Sequence, residues 1–501
     1  MGAAPSEGDF LEWFLHRFRW VFVIPVLLPL SFCFDLYYAA RNWFIFKIQS
    51  APKAHDRKVA LIQKQVRQWA AGDRKVKMCT ARPGWLTMSF RFPAYKQNMT
   101  QIRTDRLIDI LEPMVTMGQI TRTLIPMGFT LPIVPELDDL TVGGMINGCG
   151  VESSSKKHGL FQHICHSYEL VMADGSLVTA AKENPDGGAD SQALFYGVPW
   201  SHGTLGFLVA ATLKIIPCKP YVKLTYTPSD SVKKTQDLLQ AETENPENEF
   251  VEGILFSKNL GVVMKGSFCE DAPRNGTVNP IGKWHKPWFY THVEGIGRGG
   301  TEKVEYIPLR DYYHRHSKSI FWEIKEIVPF GNNLFFRWFL GWLCPPKISL
   351  LKVTTPGPVR KLYERKHVIQ DMLVPLEKMA DGVDVFEKEV DIYPLWLCPF
   401  VLPSLPGMIK QRTGKNQLYI DLGVYGVTHV KTYEPRESTR RLEEFVRSVN
   451  GVQMLYADTY MTEPEFWEMF DRSMYDWLRL KYDCKEAFPS VYEKVCRAAR
   501  Y

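Results

Sequence analysis

The 501-residue sequence predicts an α+β protein: two mixed domains, the first built around a glycine-rich ligand-binding segment, preceded by one N-terminal transmembrane helix. Three observations carry that prediction. An uncharged, mostly apolar run, Trp20 to Phe34, stands near the start. Strand-like and helix-like periods follow one another without an internal repeat. Between Thr141 and Gly206, clustered glycines stand between a proline-rich entry and an apolar strand.

Leu36 to Ala40 extends the first run past Asp35. As a helix, Trp20–Ala40 reaches about 30 Å, one hydrocarbon core. Pro25 and Pro29 are tolerable there. Trp20, Tyr37, Tyr38 and Trp43 sit where interfacial aromatics belong. Arg17 and Arg19 are diluted by Glu7, Asp9 and Glu12, whereas Arg41, Lys47, Lys53, Arg57 and Lys58 follow the run. That asymmetry predicts a single pass with the bulk of the chain in the cytosol. A cleaved signal sequence is the alternative, and the acidic start argues against it.

Val59, Ile62, Val66 and Trp69 recur at helical spacing. The turn Met78–Trp85 leads to a strand-like Leu86–Phe92. Tyr168–Met172, the turn Asp174-Gly175 and Leu177–Ala180 read as a hairpin. Glu183–Gln192 reads as a surface loop and Gly206–Ile216 as a buried strand. Pro217–Pro220 marks a boundary. Val222–Tyr226, Phe250–Phe256, Gly261–Phe268 and Gln417–Val424 read as strands. Gly295–Gly300 reads as a flexible loop. Leu334–Leu343 is too short to span a bilayer and reads either as a core helix or as a membrane-dipping element. One late helix carries Leu442, Phe445, Val446 and Val449; another carries Phe466, Trp467, Phe470, Met474 and Trp477.

Composition narrows the function. A charge of +6 and the lack of a basic-aromatic motif do not suggest nucleic acid. Ten cysteines, none at C-x-x-C spacing, argue against zinc and thioredoxin-type chemistry, and no metal is expected. Their dispersal reads as buried free thiols in a reducing compartment. A Rossmann reading fails, because no G-x-G-x-x-G lies between a strand and a helix. No Walker lysine follows a glycine cluster.

What remains is Thr141-Val142-Gly143-Gly144-Met145-Ile146-Asn147-Gly148-Cys149-Gly150-Val151-Glu152-Ser153. Four glycines in eight positions let amides approach a ligand closely, as phosphate cradles do. Around it, in order, come the prolines Pro132 and Pro135, the basic Lys156-Lys157-His158-Gly159, the hairpin, and Gly203-Thr204-Leu205-Gly206 before the apolar strand. That order resembles the flavin-binding domain of the vanillyl-alcohol-oxidase superfamily, the p-cresol methylhydroxylase (PCMH) type. Pro135–Gly144, Gly159–Cys165, Tyr306–Arg310, Tyr312–His316, Val328–Asn333, Pro345–Leu351 and Gln453–Asp458 are similar to the delta(24)-sterol reductases. The resemblance runs from about Trp20 to Tyr501. Three departures stand out: Ala81 replaces a family glycine, Ile110-Leu111 runs straight into Glu112-Pro113 where the family carries an extra turn and strand, and Glu183–Gln192 is lengthened.

The resemblance implies non-covalent FAD, contacted along Thr141–Ser153, with Thr141 and Ser153 as hydroxyl partners and the glycine amides on the diphosphate. It implies that Arg82, Pro83, Gly84 and Trp85 form the other flavin loop. It implies NADPH as reductant, a sterol substrate, and addition of two hydrogens across the delta(24) side-chain double bond, with hydride passing by way of flavin N5. The alkene is not activated by a carbonyl, so a general acid must protonate it in a dry pocket. Tyr456, His314, His316 and Asp458 are the candidates, with Tyr460 behind them. Tyr312–His316 reads equally as a solvated helix or loop cluster. Asp421 faces either a pocket or the other side of a half-buried strand.

The expected domains are 1–45 with the anchor at about 20–40, a PCMH-type FAD-binding domain at 46–218, a substrate or cap domain at 219–440, and C-terminal helices at 441–501 that pack back on the core. The expected location is the endoplasmic reticulum membrane, with the Golgi membrane as alternative. Two other functions compete: an FAD-dependent oxidase of a lactone or alcohol, and a non-enzymatic scaffold that keeps the fold.

Overall fold

The computed structural model of the chain describes residues 14, 18–48, 54–87, 91–109, 112–183, 188–355, 357–409 and 413–500. Glu7, Asp9, Glu12, Arg17, Lys53, Ile110 and Leu111 lie outside them, as does the middle of the strand expected over Leu86–Phe92.

The apolar N-terminal run is helical over Trp20–Phe22 and Leu28–Ile48, joined by a π-helical turn, Val23–Leu27. Pro25 and Pro29 have no N–H to give, so the ladder widens at this point. The stretch Trp20–Ile45 has the length and apolarity to cross a membrane. One of its faces lies against the body. Val23, Leu27 and Leu28 pack with Ile327, Val328, Phe336 and Leu351. Arg19 donates to the Tyr363 hydroxyl at 2.7 Å, Lys347 pairs with Asp35 at 3.1 Å, and Arg41 pairs with Asp105 at 3.0 Å. The opposite face, with Val21, Leu30, Tyr37 and Trp43, is exposed.

The helix His55–Ala70 buries Val59, Ile62, Val66 and Trp69 as their spacing requires. A two-stranded parallel sheet follows, β1 (Met78–Thr80) with β2 (Thr100–Ile102). Short β3 (Phe129–Thr130) pairs later with β7 (Ile216–Pro217). The expected hairpin forms as β4 (Cys165–Val171) and β5 (Leu177–Ala181), and β6 (Phe207–Leu213) joins on the far side of β4.

An eight-stranded antiparallel sheet begins at β8 (Tyr221–Ser229). It continues with β9 (Phe250–Ser257), β10 (Leu260–Cys269), β11 (Lys303–Pro308), β12 (His367–Pro375), β13 (Leu395–Leu402), β14 (Gln417–Val427) and β15 (Val452–Gln453), in the order β11-β8-β10-β9-β13-β14-β12-β15. Strand alternation divides its faces. Ile420, Leu422 and Val424 of β14 point toward the helices Met379–Glu389 and Pro435–Ser448, where Leu422 lies against Gly382. Asp421, Gly423 and Tyr425 point the other way, on the face that carries Asp371, Trp396 and Glu252. That second face meets the glycine segment.

The join is made by strand divergence. β9 and β13 pair only where Leu255, Ile254 and Gly253 oppose Leu395, Trp396 and Leu397. Beyond that point the chain following Gly150 enters between them, and Val251 N donates to Ser153 O at 2.8 Å. The C-terminal segment returns to the first part of the chain: the Tyr475 hydroxyl bonds Thr204 Oγ1 at 2.7 Å, and Arg479 donates to Thr204 O at 3.0 Å.

Five expectations change. Part of the loop expected at Glu183–Gln192 belongs to the helix Gly188–Gly197. Gly295, Gly297 and Gly299 lie in the helix Phe289–Gly299, which Gly300 ends in the left-handed conformation at φ 67°. The single helix expected around Phe466–Trp477 is two, Glu463–Met469 and Ser473–Lys481, broken where Phe470 turns extended. Leu334–Leu343 is not a core helix: Phe335 and Phe339 are each 73% exposed. Tyr312–His316 is buried rather than solvated, because Arg315 is drawn inward to Glu152 and Glu252.

Candidate functional site

Two loops approach each other at the first half of the site. Arg82 donates from Nη1 to Thr141 Oγ1 at 3.2 Å and from Nη2 to Leu86 O at 2.9 Å, which ties the loop of residues 81–85 to the glycine segment. Thr141 caps the helix Val142–Asn147 by accepting from Gly144 N. Gly143 N donates to Pro113 O at 2.8 Å and Gly148 N to Gly144 O at 2.9 Å. The amides of Gly143, Gly144 and Gly148 are therefore already satisfied inside the protein. The glycines serve chain packing: a Cβ on Gly143 would meet Pro113 Cβ at 2.7 Å, and one on Gly150 would meet Phe161 Cβ at 2.9 Å. Ser153 and Glu152 are likewise engaged, Ser153 with the Tyr312 hydroxyl and Glu152 with Arg315.

Positive charge is concentrated beside these loops instead. Lys96 donates to Thr80 O at 2.9 Å and to Arg82 O at 2.6 Å. Arg500 donates to Leu455 O at 2.8 Å and to Ala457 O at 2.7 Å, and Lys494 donates to His202 O. Lys352, on the helix Ile348–Thr354, reaches Thr87 O. These bonds go to backbone carbonyls, which orient a cation without neutralising it. Burial first, then mutual repulsion, pushes Lys96 and Lys494 down to about 8 and Lys352 to about 7. Burial also lowers Arg82, whose Nε is buried without a partner. Arg82, Lys96, Lys494 and Arg500, whose bonds here go to neutral oxygens, form a set suited to receiving an anion.

The other half of the site is acidic and lies on the sheet face. Asp371 of β12 accepts from the Tyr425 hydroxyl at 2.5 Å and from the Tyr456 hydroxyl. Gly423 makes room for this, since a Cβ there would lie 2.6 Å from the Tyr425 oxygen and 2.8 Å from Asp371 Oδ1. Asp421 is fully buried, and neither carboxylate oxygen has a hydrogen-bond partner. Burial raises Asp371 to about 6 against the two tyrosine bonds. Burial, then the charges of Asp371 and Glu136, raises Asp421 well above the carboxylate range. Cys149 of the glycine segment faces both aspartates, and its thiol is pushed up by burial and by their charge. A cleft partly open to solvent adjoins Tyr456 and is lined by Arg19, Arg91, Gln370, Tyr433, Asp458 and Tyr460 among others.

The expected acids fare unequally. His314 is hydrogen-bonded by Nε2 to Thr121 Oγ1 at 2.8 Å and by Nδ1 to Glu136 O at 3.1 Å, and burial lowers its pKa. His316 stacks on Phe321 and is lowered by burial as well. Both are core imidazoles whose charged form burial disfavours. Asp458 forms an ion pair with Arg91 at 2.5 Å on the cleft wall. Tyr456 does reach the site, but burial and Asp371 raise its pKa well above 10, so it holds its proton. Sequence reasoning passed over Asp371, whose signal is a lone carboxylate in the apolar run His367–Pro375. It also missed Lys96, Lys494 and Arg500, which carry no local signal. No group that could hold a metal ion occurs among the described residues.

Known proteins resemble this chain along its length. The family profile described as an FAD binding domain matches residues 96–181. The chain is 55% identical over 511 residues to the Delta(24)-sterol reductase homolog dhcr-24 of Caenorhabditis elegans, covering 98% of this chain and 97% of that protein. It is 52% identical over 502 residues to the Delta(24)-sterol reductase of Homo sapiens, covering 98% and 96%. It is 40% identical over 534 residues to that of Pisum sativum, covering 97% and 92%.

Proposed function

The chain belongs to the delta(24)-sterol reductase family, and from that premise we propose that it reduces the delta(24) side-chain double bond of a sterol, desmosterol to cholesterol in type, with FAD as cofactor and NADPH as reductant. The end-to-end similarity to sterol reductases carries the reading. The residues present suit the cofactor. A dinucleotide diphosphate is the anion that Arg82, Lys96, Lys494 and Arg500 would meet, and Arg82 Nε is a donor in want of an acceptor. FAD is held without a covalent bond between residues 81–85 and 141–153, with Cys149 kept as a thiol by burial. When bound, FAD supplies the two-electron carrier between nicotinamide and alkene.

The protein's own part is to orient and to keep dry. The buried sheet face excludes water from a reaction in which charge develops on a hydrocarbon. Tyr425 and Tyr456 hold Asp371 in one position. Residues 46–218 form the flavin domain, 219–440 the cap and 441–501 the return, which lends Lys494 and Arg500 to the cofactor.

The membrane reading is supported by the apolar helix Trp20–Ile45. The apolar helix holds the catalytic body at the endoplasmic reticulum membrane, with the bulk in the cytosol as the lysine and arginine excess after the helix favours. Phe335, Trp338, Phe339 and Trp342 are exposed beside it, and Phe32 lies edge-on to Trp342 at 5.5 Å. Together they offer lipid a continuous apolar surface.

The test is turnover by the purified full-length protein under anaerobic conditions with NADPH and desmosterol. We expect a flavin spectrum and the saturated sterol. Peroxide production with a lactone or alcohol and no sterol product would favour the oxidase, and a colourless protein the scaffold. Arg82→Ala or Lys96→Ala removes a charge-assisted bond worth roughly 1.5–3 kcal/mol, so FAD affinity falls about 10- to 100-fold, read as flavin retained after gel filtration.

A further inference from the structure

We infer that Asp421 is the proton donor of the reaction, a neutral carboxylic acid held on the cap sheet opposite the glycine segment; the inference rests on the sterol-reductase reading above. Three observations carry it. First, Asp421 is 0% exposed, and both of its oxygens lack a partner, whereas Asp371 on the same face is bonded by the Tyr425 and Tyr456 hydroxyls. A buried carboxylate in that state would cost several kcal/mol, whereas the neutral acid is tolerated and presents an O–H. Second, strand alternation puts Asp421 on the same face as Asp371 and Tyr425, not on the helix-covered face of Ile420 and Leu422. Third, the acids expected from the sequence are committed elsewhere. His314 and His316 are bonded into the core, Asp458 is paired with Arg91, and the Tyr456 hydroxyl is given to Asp371.

The ionisable groups that face Asp421 come from every side of the site. They are Asp371 of β12, Glu136 and Cys149 on the glycine-segment side, Cys398 of β13, Tyr425 of β14 and Tyr456 after β15. None of them is a cation. Asp371, with two phenol donors, is the member of the pair whose anion is stabilised; burial first, and then the Asp371 charge, favours the neutral form of Asp421. Two carboxyls driven apart in this way divide into an acid and an anion.

The step balances. The Asp421 O–H bond breaks, and the proton bonds to the less substituted alkene carbon through the π pair. The hydride that NADPH ultimately supplies bonds to the more substituted carbon. The alkene is reduced by two electrons, NADPH is oxidised to NADP⁺, and the Asp421 carboxylate regains its proton from solvent.

The experiment uses full-length holoenzyme and its Asp421→Asn and Asp421→Glu variants. With Asp421→Asn, NADPH should still bleach the flavin, while anaerobic reoxidation by desmosterol slows at least about 100-fold. Asp421→Glu should restore part of that rate. Infrared difference spectra should show a protonated carboxyl band that shifts in Asp421→Glu and is absent in Asp421→Asn. Desmosterol reoxidation of Asp421→Asn at the wild-type rate overturns the proposal. So does loss of FAD from that variant, which would make Asp421 a cofactor-positioning group, and so does a wild-type spectrum without the protonated band. If Asp421→Asn does not fold, the wild-type and Asp421→Glu spectra decide. A wild type that shows the band and never turns over sterol would instead refute the proposed function.

Discussion

Gly423 shows how one missing Cβ organises chemistry. Its position on β14 leaves the space through which Tyr425 reaches Asp371. Gly423→Ala should push the phenol away, cost about 1–3 kcal/mol of stability through overpacking, and remove one of the two bonds that stabilise the Asp371 anion. The Asp371 carboxyl, held at about 6, then titrates higher. The expected outcome is a lower thermal midpoint together with an acidic limb of kcat displaced to higher pH; an unchanged limb would show that Tyr425 does not tune Asp371. Arg82, Thr141 and a lone Asp421 inside a strand were visible in the sequence, because each stands in a local pattern. Lys494 and Arg500 were not, since a lysine or arginine near a chain end looks the same whether it faces solvent or a buried anion.

At the scale of elements, periodicity carried the reading wherever one face of an element is buried. The helix His55–Ala70, the hairpin β4–β5 and the strands β8, β9, β10 and β14 follow their patterns. The helix of Leu334–Leu340 does not, because most of its apolar side chains, Leu334, Phe335, Trp338 and Phe339, point outward while Phe336 alone is buried. Burying one such side chain in a bilayer is worth about 1.5–3 kcal/mol. The double variant Phe335→Ser, Phe339→Ser should therefore lose activity on sterol embedded in vesicles several-fold and keep it on sterol dispersed in detergent; equal loss in both would sever the helix from lipid access. A second prediction concerns the start of the helix His55–Ala70. Hydrogen bonding to Glu112, at 2.9 Å, raises His55 to about 9. The folded value exceeds the unfolded one of about 6.5, so this stabilisation is complete below pH 6.5 and is lost as pH rises through about 9. Thermal midpoints of wild type and His55→Gln should differ most below neutrality and converge above pH 9.

The whole molecule is locked by one buried guanidinium. Arg315 donates to Glu152 at 2.6 Å and to both oxygens of Glu252 at 2.7 Å, with all three side chains fully buried. Glu152 lies near the end of the glycine segment and Glu252 lies on β9 of the eight-stranded sheet, so the bond joins that segment to the sheet. Trp396 Nε1 adds a bond to Glu252 at 2.9 Å. Arg315→Met would leave two buried carboxylates facing each other and should cost about 3–5 kcal/mol, seen as a large drop in thermal midpoint with release of flavin at lower temperature. Retention of both would show that the two parts are held by apolar packing alone.

The amino-acid sequence by itself determined the family, the α+β class, the apolar helix, the helix stripes and the alternating strands, because these are written in spacings of a few residues. Only the tertiary structure decided which of the many tyrosines, carboxylates and lysines are chemical. Asp371 meets Tyr456 across 85 positions and Arg315 meets Glu152 across 163. Removal from water is what turns those meetings into shifted pKa values and fixed charge. Desolvation belongs to the assembled neighbourhood, so no short stretch of sequence contains it.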